Sequence, residues 1–89
     1  MLSLPTSLTH ADATACLHQL TNDMARESSA QVVVDAALLR SFDSSALAVL
    51  LALRRECARA GKYFVVQGLP DRLRDLAALY GIERLLPSA

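Results

Sequence analysis

Asp43-Ser44-Ser45-Ala46-Leu47 is a short polar turn opening into an apolar stretch, with the β-branched run Val32-Val33-Val34 just upstream and Ala46 to Leu53 apolar throughout. A β-branched run without a polar interruption suits a strand buried on both faces. An apolar stretch of about two turns after Asp and Ser suits a helix with its start signal in place. The order strand, polar turn, helix sets hydroxyls at a helix N-terminus, where unpaired backbone N–H groups and the positive end of the dipole attract oxygen ligands. Ser44 or Ser45 is expected to cap that helix, a contribution of about 1 kcal/mol. Asp43 is the rival cap, and it would free both hydroxyls.

Working outward, the helix runs from near Ser44 to about Ala60, where Gly61 stops it. Tyr63-Phe64-Val65-Val66 is the next strand. Leu69-Pro70-Asp71 opens another helix with proline in its first turn; Leu73, Leu76, Ala77 and Tyr80 form its stripe and Gly81 ends it. Ile82 to Leu86 is read as a last short strand. Upstream, Thr9-His10-Ala11-Asp12 fits a capping box, followed at helical spacing by Ala13, Cys16, Leu17, Leu20 and Met24. Leu2 and Leu4 beside Pro5 make an edge-like strand, and residues 36 to 42 a loop. Alternating strands and helices call for crossovers and parallel pairs. The expected fold is a single α/β domain over residues 1–89, with a mixed sheet of about four strands and three helices.

Composition narrows the function. The chain has 89 residues, 53% of them hydrophobic, and nine basic side chains balance nine acidic ones. A domain this small rarely encloses a deep cleft, and surplus apolar surface favours docking onto a partner. Zero net charge steers it toward neither nucleic acid nor an anionic membrane. Arg54, Arg55, Arg59 and Lys62 read as a solvated helix end suited to the negative pole of the dipole. Cys16 and Cys57 have no metal-ligand spacing and read as free thiols in a reducing compartment. No signal peptide or membrane span is visible, so a cytoplasmic chain without membrane insertion is expected.

Catalytic constellations are missing from the reading. The three glycines, Gly61, Gly68 and Gly81, form no phosphate-cradling cluster. A nucleophilic Ser44 would need a base, and neither His10 nor His18 stands beside it in sequence. No enzyme activity, cofactor or metal is expected. The apolar run from Ala46 to Leu53 is a puzzle, because an ordinary surface helix is polar on one side. Either a second helix covers that side, or a partner protein does.

These residues resemble a STAS domain, the module of bacterial anti-sigma-factor antagonists and transporter-associated proteins. The resemblance spans roughly residues 2–86. It rests on the strand Gln31–Asp35, the turn Phe42-Asp43-Ser44-Ser45-Ala46-Leu47, Gly61 followed by Tyr63–Gln67, and the closing stretch Leu69 to Leu86. Val66-Gln67-Gly68-Leu69 and Leu76-Ala77-Ala78-Leu79-Tyr80-Gly81-Ile82 are most similar to the small STAS subunit of Mla-type bacterial phospholipid ABC transporters. The resemblance implies a cytoplasmic, non-enzymatic subunit, peripheral to the inner membrane, that binds the transporter ATPase in a complex with a permease and a lipid-binding subunit. It implies partner contacts at Asp43, Ser44, Ser45 and Leu47, with Arg40, Leu50, Leu51 and Arg54 as neighbours. The alternative it implies is an anti-sigma-factor antagonist with Ser44 as phosphoacceptor. Two departures stand out. Ala46 stands where the family usually has glycine, and alanine suits a helix better. Thr6-Ser7-Leu8-Thr9 replaces its Gly-Glu-Leu-Asp element, and the strand before that has no counterpart, leaving an upstream start or a reduced sheet as readings.

Overall fold

The computed structural model describes residues 1–88. Strands β1 (Leu2–Ser3), β3 (Gln31–Asp35) and β5 (Tyr63–Gln67) form one sheet in the order β1-β3-β5. A separate ladder joins β2 (Ser7–Leu8) to β4 (Ser41–Phe42). Helices α1 (Ala13–Arg26), α2 (Ser45–Arg59) and α3 (Asp71–Leu79) fill the connections, and a single 3-10 turn spans Glu83–Leu85. The α/β class and three helices are those expected. The five strands fall into two sheets, and the three strand pairs among the described residues are all parallel.

Alternation explains the sheet. Val32 and Val34 of β3, and Phe64 and Val66 of β5, are buried, whereas Val33 and Val65 are half-buried. Successive side chains point to opposite faces, so one face is fully covered and the other partly open. The expectation of a strand buried on both faces is corrected here: β-branched content reports strand propensity, and only the valines on the covered face reach full burial. Leu20 and Met24 of α1, Leu47, Leu50 and Leu53 of α2, and Leu73 of α3 complete the core. No polar side chain is buried among the described residues.

The helix ends follow local chemistry. Asp12 Oδ2 accepts hydrogen bonds from the Thr9 N–H and hydroxyl, each at 3.0 Å, and from the Ser7 hydroxyl at 3.0 Å. The carboxylate thus reaches back as a capping box requires, but the Thr9 hydroxyl turns to Asp12 and α1 begins only at Ala13. Gly61 follows α2 at φ 71°, the left-handed geometry of a helix stop. Tyr80, expected on the buried stripe of α3, is 57% exposed, because it lies past the last full turn as the C-cap residue.

The final strand expected at Ile82–Leu86 is instead the 3-10 turn, with the Leu85 N–H donating to the Ile82 carbonyl at 2.9 Å. Among the described residues a single parallel bridge, Val66 with Ser88, continues the sheet on that side. Pro87 accepts from the Val66 N–H at 2.8 Å, but it has no N–H of its own to extend a ladder. The loop expected at 36–42 holds β4, whose two residues are too short to show any periodicity in sequence.

Candidate functional site: the N-terminus and ridge of helix α2

Asp43 is the cap of α2. Its Oδ1 accepts from the Ser45 N–H at 2.8 Å, and its Oδ2 accepts from the His10 N–H at 3.1 Å. One carboxylate therefore satisfies a helix-start donor and ties the turn before α1 to the start of α2. Those two backbone donors, Ser45 first and His10 second, hold its pKa below the ordinary value of 3.8. Ser44 stands just before the helix with already helical backbone angles, φ −62° and ψ −16°, and its side chain makes no cap hydrogen bond. The expected capping role of the serines thus passes to Asp43. Ser44 is exposed and Ser45 half-buried.

The sign of the pH effect follows. A carboxyl with a lowered folded-state pKa contributes stability in full above its unfolded value, and that contribution is lost as pH falls through the lowered one. Asp12 is lowered likewise, first by the Thr9 N–H, then by the hydroxyls of Ser7 and Thr9. We expect the urea midpoint to fall as pH drops below 3.8, the ordinary value of both carboxyls. Asp43→Ala should lower the midpoint at neutral pH and flatten the acid fall. An acid limb identical in the variant and the parent would count against this capping role.

The other site residues sit on different sides of the helix. Leu47 is 2% and Leu50 0% exposed, so both belong to the core and lie beneath the surface rather than on it. Leu51, one residue on, is half-buried and packs against the core edge. Counting turns from Ser44, the solvent ridge runs through Ala48, Leu51 and Arg55 at helical spacing. Arg54 is exposed but lines a groove on the far side of α2 from α1. The Arg40 guanidinium folds back on its own loop, Nη1 donating to the Ala37 carbonyl at 3.1 Å.

Along its other flank α2 meets α1. Leu17, His18 and Thr21 of α1 face Ala52, Arg55 and Glu56 of α2 across an open groove of about 590 Å³. Toward the Ser44 end a shallower groove of about 280 Å³ continues between Thr14 and Ala48. The apolar helix is therefore explained mainly by the core and by α1, as the plainer of its two readings had it. Ala48, Ala52 and Arg55 were missed in the sequence reading, although spacing from Ser44 marks all three. Beside the turn, the Arg72 guanidinium of α3 lies 5.6 Å from the centre of the Phe42 ring, a contact with no signal in sequence.

The geometry is a parallel β-α-β core whose second helix begins with an exposed serine. The family model "Mlab, STAS domain" matches residues 1–87. The chain belongs to the STAS domain family. No curated protein matches it significantly. In this STAS domain the thiols are uncrosslinked, and burial raises the pKa of both Cys16 and Cys57. No helix among the described residues of the STAS domain is long and apolar enough to cross a membrane.

Proposed function

We propose that this STAS domain is a non-enzymatic, cytoplasmic subunit of an Mla-type phospholipid-transporting ABC complex. It docks on the ATPase subunit, alongside a permease and a lipid-binding subunit, and supports assembly and activity in maintaining outer-membrane lipid asymmetry. The observation carrying this reading is the exposed Ser44, released from capping by Asp43 at the head of a ridge with Ala48, Leu51 and Arg55. Small and apolar side chains flanked by a carboxylate at one end and a guanidinium at the other suit a protein surface with a polar rim. Stimulation of ATP turnover would require tighter binding to the active ATPase conformer than to the inactive one.

Ser44→Glu tests it. The substituted carboxylate stands at a helix N-terminus, where the dipole favours it, so the isolated domain should fold normally by circular dichroism. Burying that charge in an interface should weaken ATPase association at least tenfold, about 1.4 kcal/mol, in co-purification or titration. Unchanged association and an unchanged ATPase rate would count decisively against the reading. The same exposed hydroxyl favours a second function, an anti-sigma-factor antagonist switched by phosphorylation at Ser44, where nearly two negative charges would eject a partner. Labelling of Ser44 by a partner-switching serine kinase with ATP separates the two.

A further inference from the structure

Strand β1 is an open edge of the three-stranded sheet. The Leu4 N–H donates to the Asp35 carbonyl at 2.8 Å, so Leu2 and Leu4 turn their backbone groups toward β3. Direction alternates along a strand of a parallel ladder, so the N–H and C=O of exposed Ser3 point outward. Neither has a partner among the described residues, which leaves a template for another strand. At the opposite edge Pro87 and Ser88 lie along β5, the Pro87 carbonyl accepting from the Val66 N–H. One edge alone can therefore grow, and Pro5, which has no N–H, stops pairing just beyond Ser3. Beside this edge a groove of about 460 Å³ runs between β1 and the side of α1 turned away from α2. Buried Leu4 and Leu20 lie at its base, with Ala11, Ala15 and Cys16 on its helical wall.

Spacing and charge both suit a second copy of this chain. A two-fold axis beside Ser3 sets two β1 strands antiparallel, each Ser3 N–H donating to the Ser3 carbonyl of the other copy. The β1-α1-β3 crossover places α1 above the boundary between those two strands. Paired strands are about 4.8 Å apart, so the two α1 helices come to about 10 Å, the ordinary distance for packed helices. Each helix then closes the groove of the other copy, and exposed Ala15 is small enough to permit the approach. Asp12 at the N-cap, Gln19 and Arg26 recur at seven-residue steps, so they share one face of α1. Arg26 is exposed and takes part in no ion pair among the described residues. In antiparallel helices centred on Gln19, each Arg26 meets Asp12 of the other copy. Asp23 on the same strip accepts from Gln19 Nε2 at 3.0 Å and falls opposite the small, neutral Ala15. We propose that the domain forms a two-fold dimer through β1 and α1, joining two three-stranded sheets into one of six strands. The Ser44 ridge stays uncovered, so the dimer stands apart from the docking function.

Sedimentation equilibrium of the chain tests the proposal. The average mass should rise from 9.6 kDa toward twice that value as concentration passes roughly 0.1 mM, the weak range expected of a small interface. Ala15→Lys and Ser3→Pro should each weaken self-association at least tenfold, the first by crowding the helices and the second by removing the edge donor. Arg26→Glu should weaken it as well, by setting like charges together. All three residues are exposed and the Ser3 N–H bonds nothing within the chain, so circular dichroism should match the parent. Tyr63→Ser, at an exposed position outside this contact, and Ser44→Glu should leave the mass curve unchanged. A chain still monomeric at about 1 mM overturns the proposal. So does parent-like dimerisation of folded Ala15→Lys, or a dimer abolished by Tyr63→Ser.

Discussion

Leu50→Ala is expected to destabilise the domain by roughly 3 kcal/mol, and Leu51→Ala by only about 1 kcal/mol. The two leucines are adjacent on α2, yet Leu50 is fully enclosed and Leu51 half-buried. Truncating Leu50 removes buried methyl groups and leaves a cavity among well-packed neighbours. Truncating Leu51 removes part of one wall, which water can fill. Against a typical total stability of about 5–15 kcal/mol, the first loss is a large fraction. Urea unfolding reads the difference as a shift in midpoint at constant slope. On the proposed docking reading the order reverses for partner binding, with Leu51→Ala weakening ATPase association more than a folded Leu50→Ala does. Equal stability losses at the two positions would contradict the facing of α2 described above.

Gly68→Ala is expected to cost roughly 2–4 kcal/mol, combining backbone strain with overpacking. Gly68 has φ 69°, and a Cβ there would meet Ala37 Cβ at 3.0 Å, Ala37 N at 3.1 Å and Ala37 Cα at 3.2 Å. Two of those three atoms are backbone, and the loop that carries them is tied down. The Ala36 N–H donates to the Gln67 carbonyl at 2.8 Å, and the Ala37 N–H to Asp35 Oδ1 at 3.0 Å. Gly61 makes the control, since its φ of 71° carries the same strain while nothing lies within 4 Å of its Cβ position. Gly61→Ala should therefore cost only about 1–2 kcal/mol. Thermal unfolding of both variants measures the difference, which isolates the contact with Ala37. Equal losses would leave that contact without energetic weight.

Much of the fold was legible because its signals are local. Gly61 and Gly81 end helices that Asp43 and Pro70 begin, and the valines of β3 announce a strand without reference to anything distant. What escaped depends on partners far along the chain. Ser7–Leu8 and Ser41–Phe42 make a ladder only because each finds the other. Arg84 joins Arg54 and Lys62 through tertiary packing alone. The candidate site was half legible: Asp43 was recognised as a rival cap, and Ser44 was singled out. Of the three leucines chosen beside it, Leu51 reaches the surface, whereas Leu47 and Leu50 do not, because hydrophobicity was read without helical phase. Leu47 and Leu50 lie on the buried side of α2, and Ala48 and Arg55, less conspicuous in sequence, lie on the open one.

The strand order β1-β3-β5 has a kinetic consequence. Leu2 pairs with Val34 and Val32 with Phe64, so the partners in both ladders are about 32 residues apart. Closing either loop costs nearly the same entropy, since that cost depends on length alone. Among the described residues no hairpin offers a cheaper first step. Which ladder forms first is then decided by the helix inside each loop, and α2 brings six buried residues to the task where α1 brings two. The β3-α2-β5 unit should be the nucleus, with β1 and α1 joining later. Truncations in α2 would then slow folding, while those in α1 would chiefly hasten unfolding.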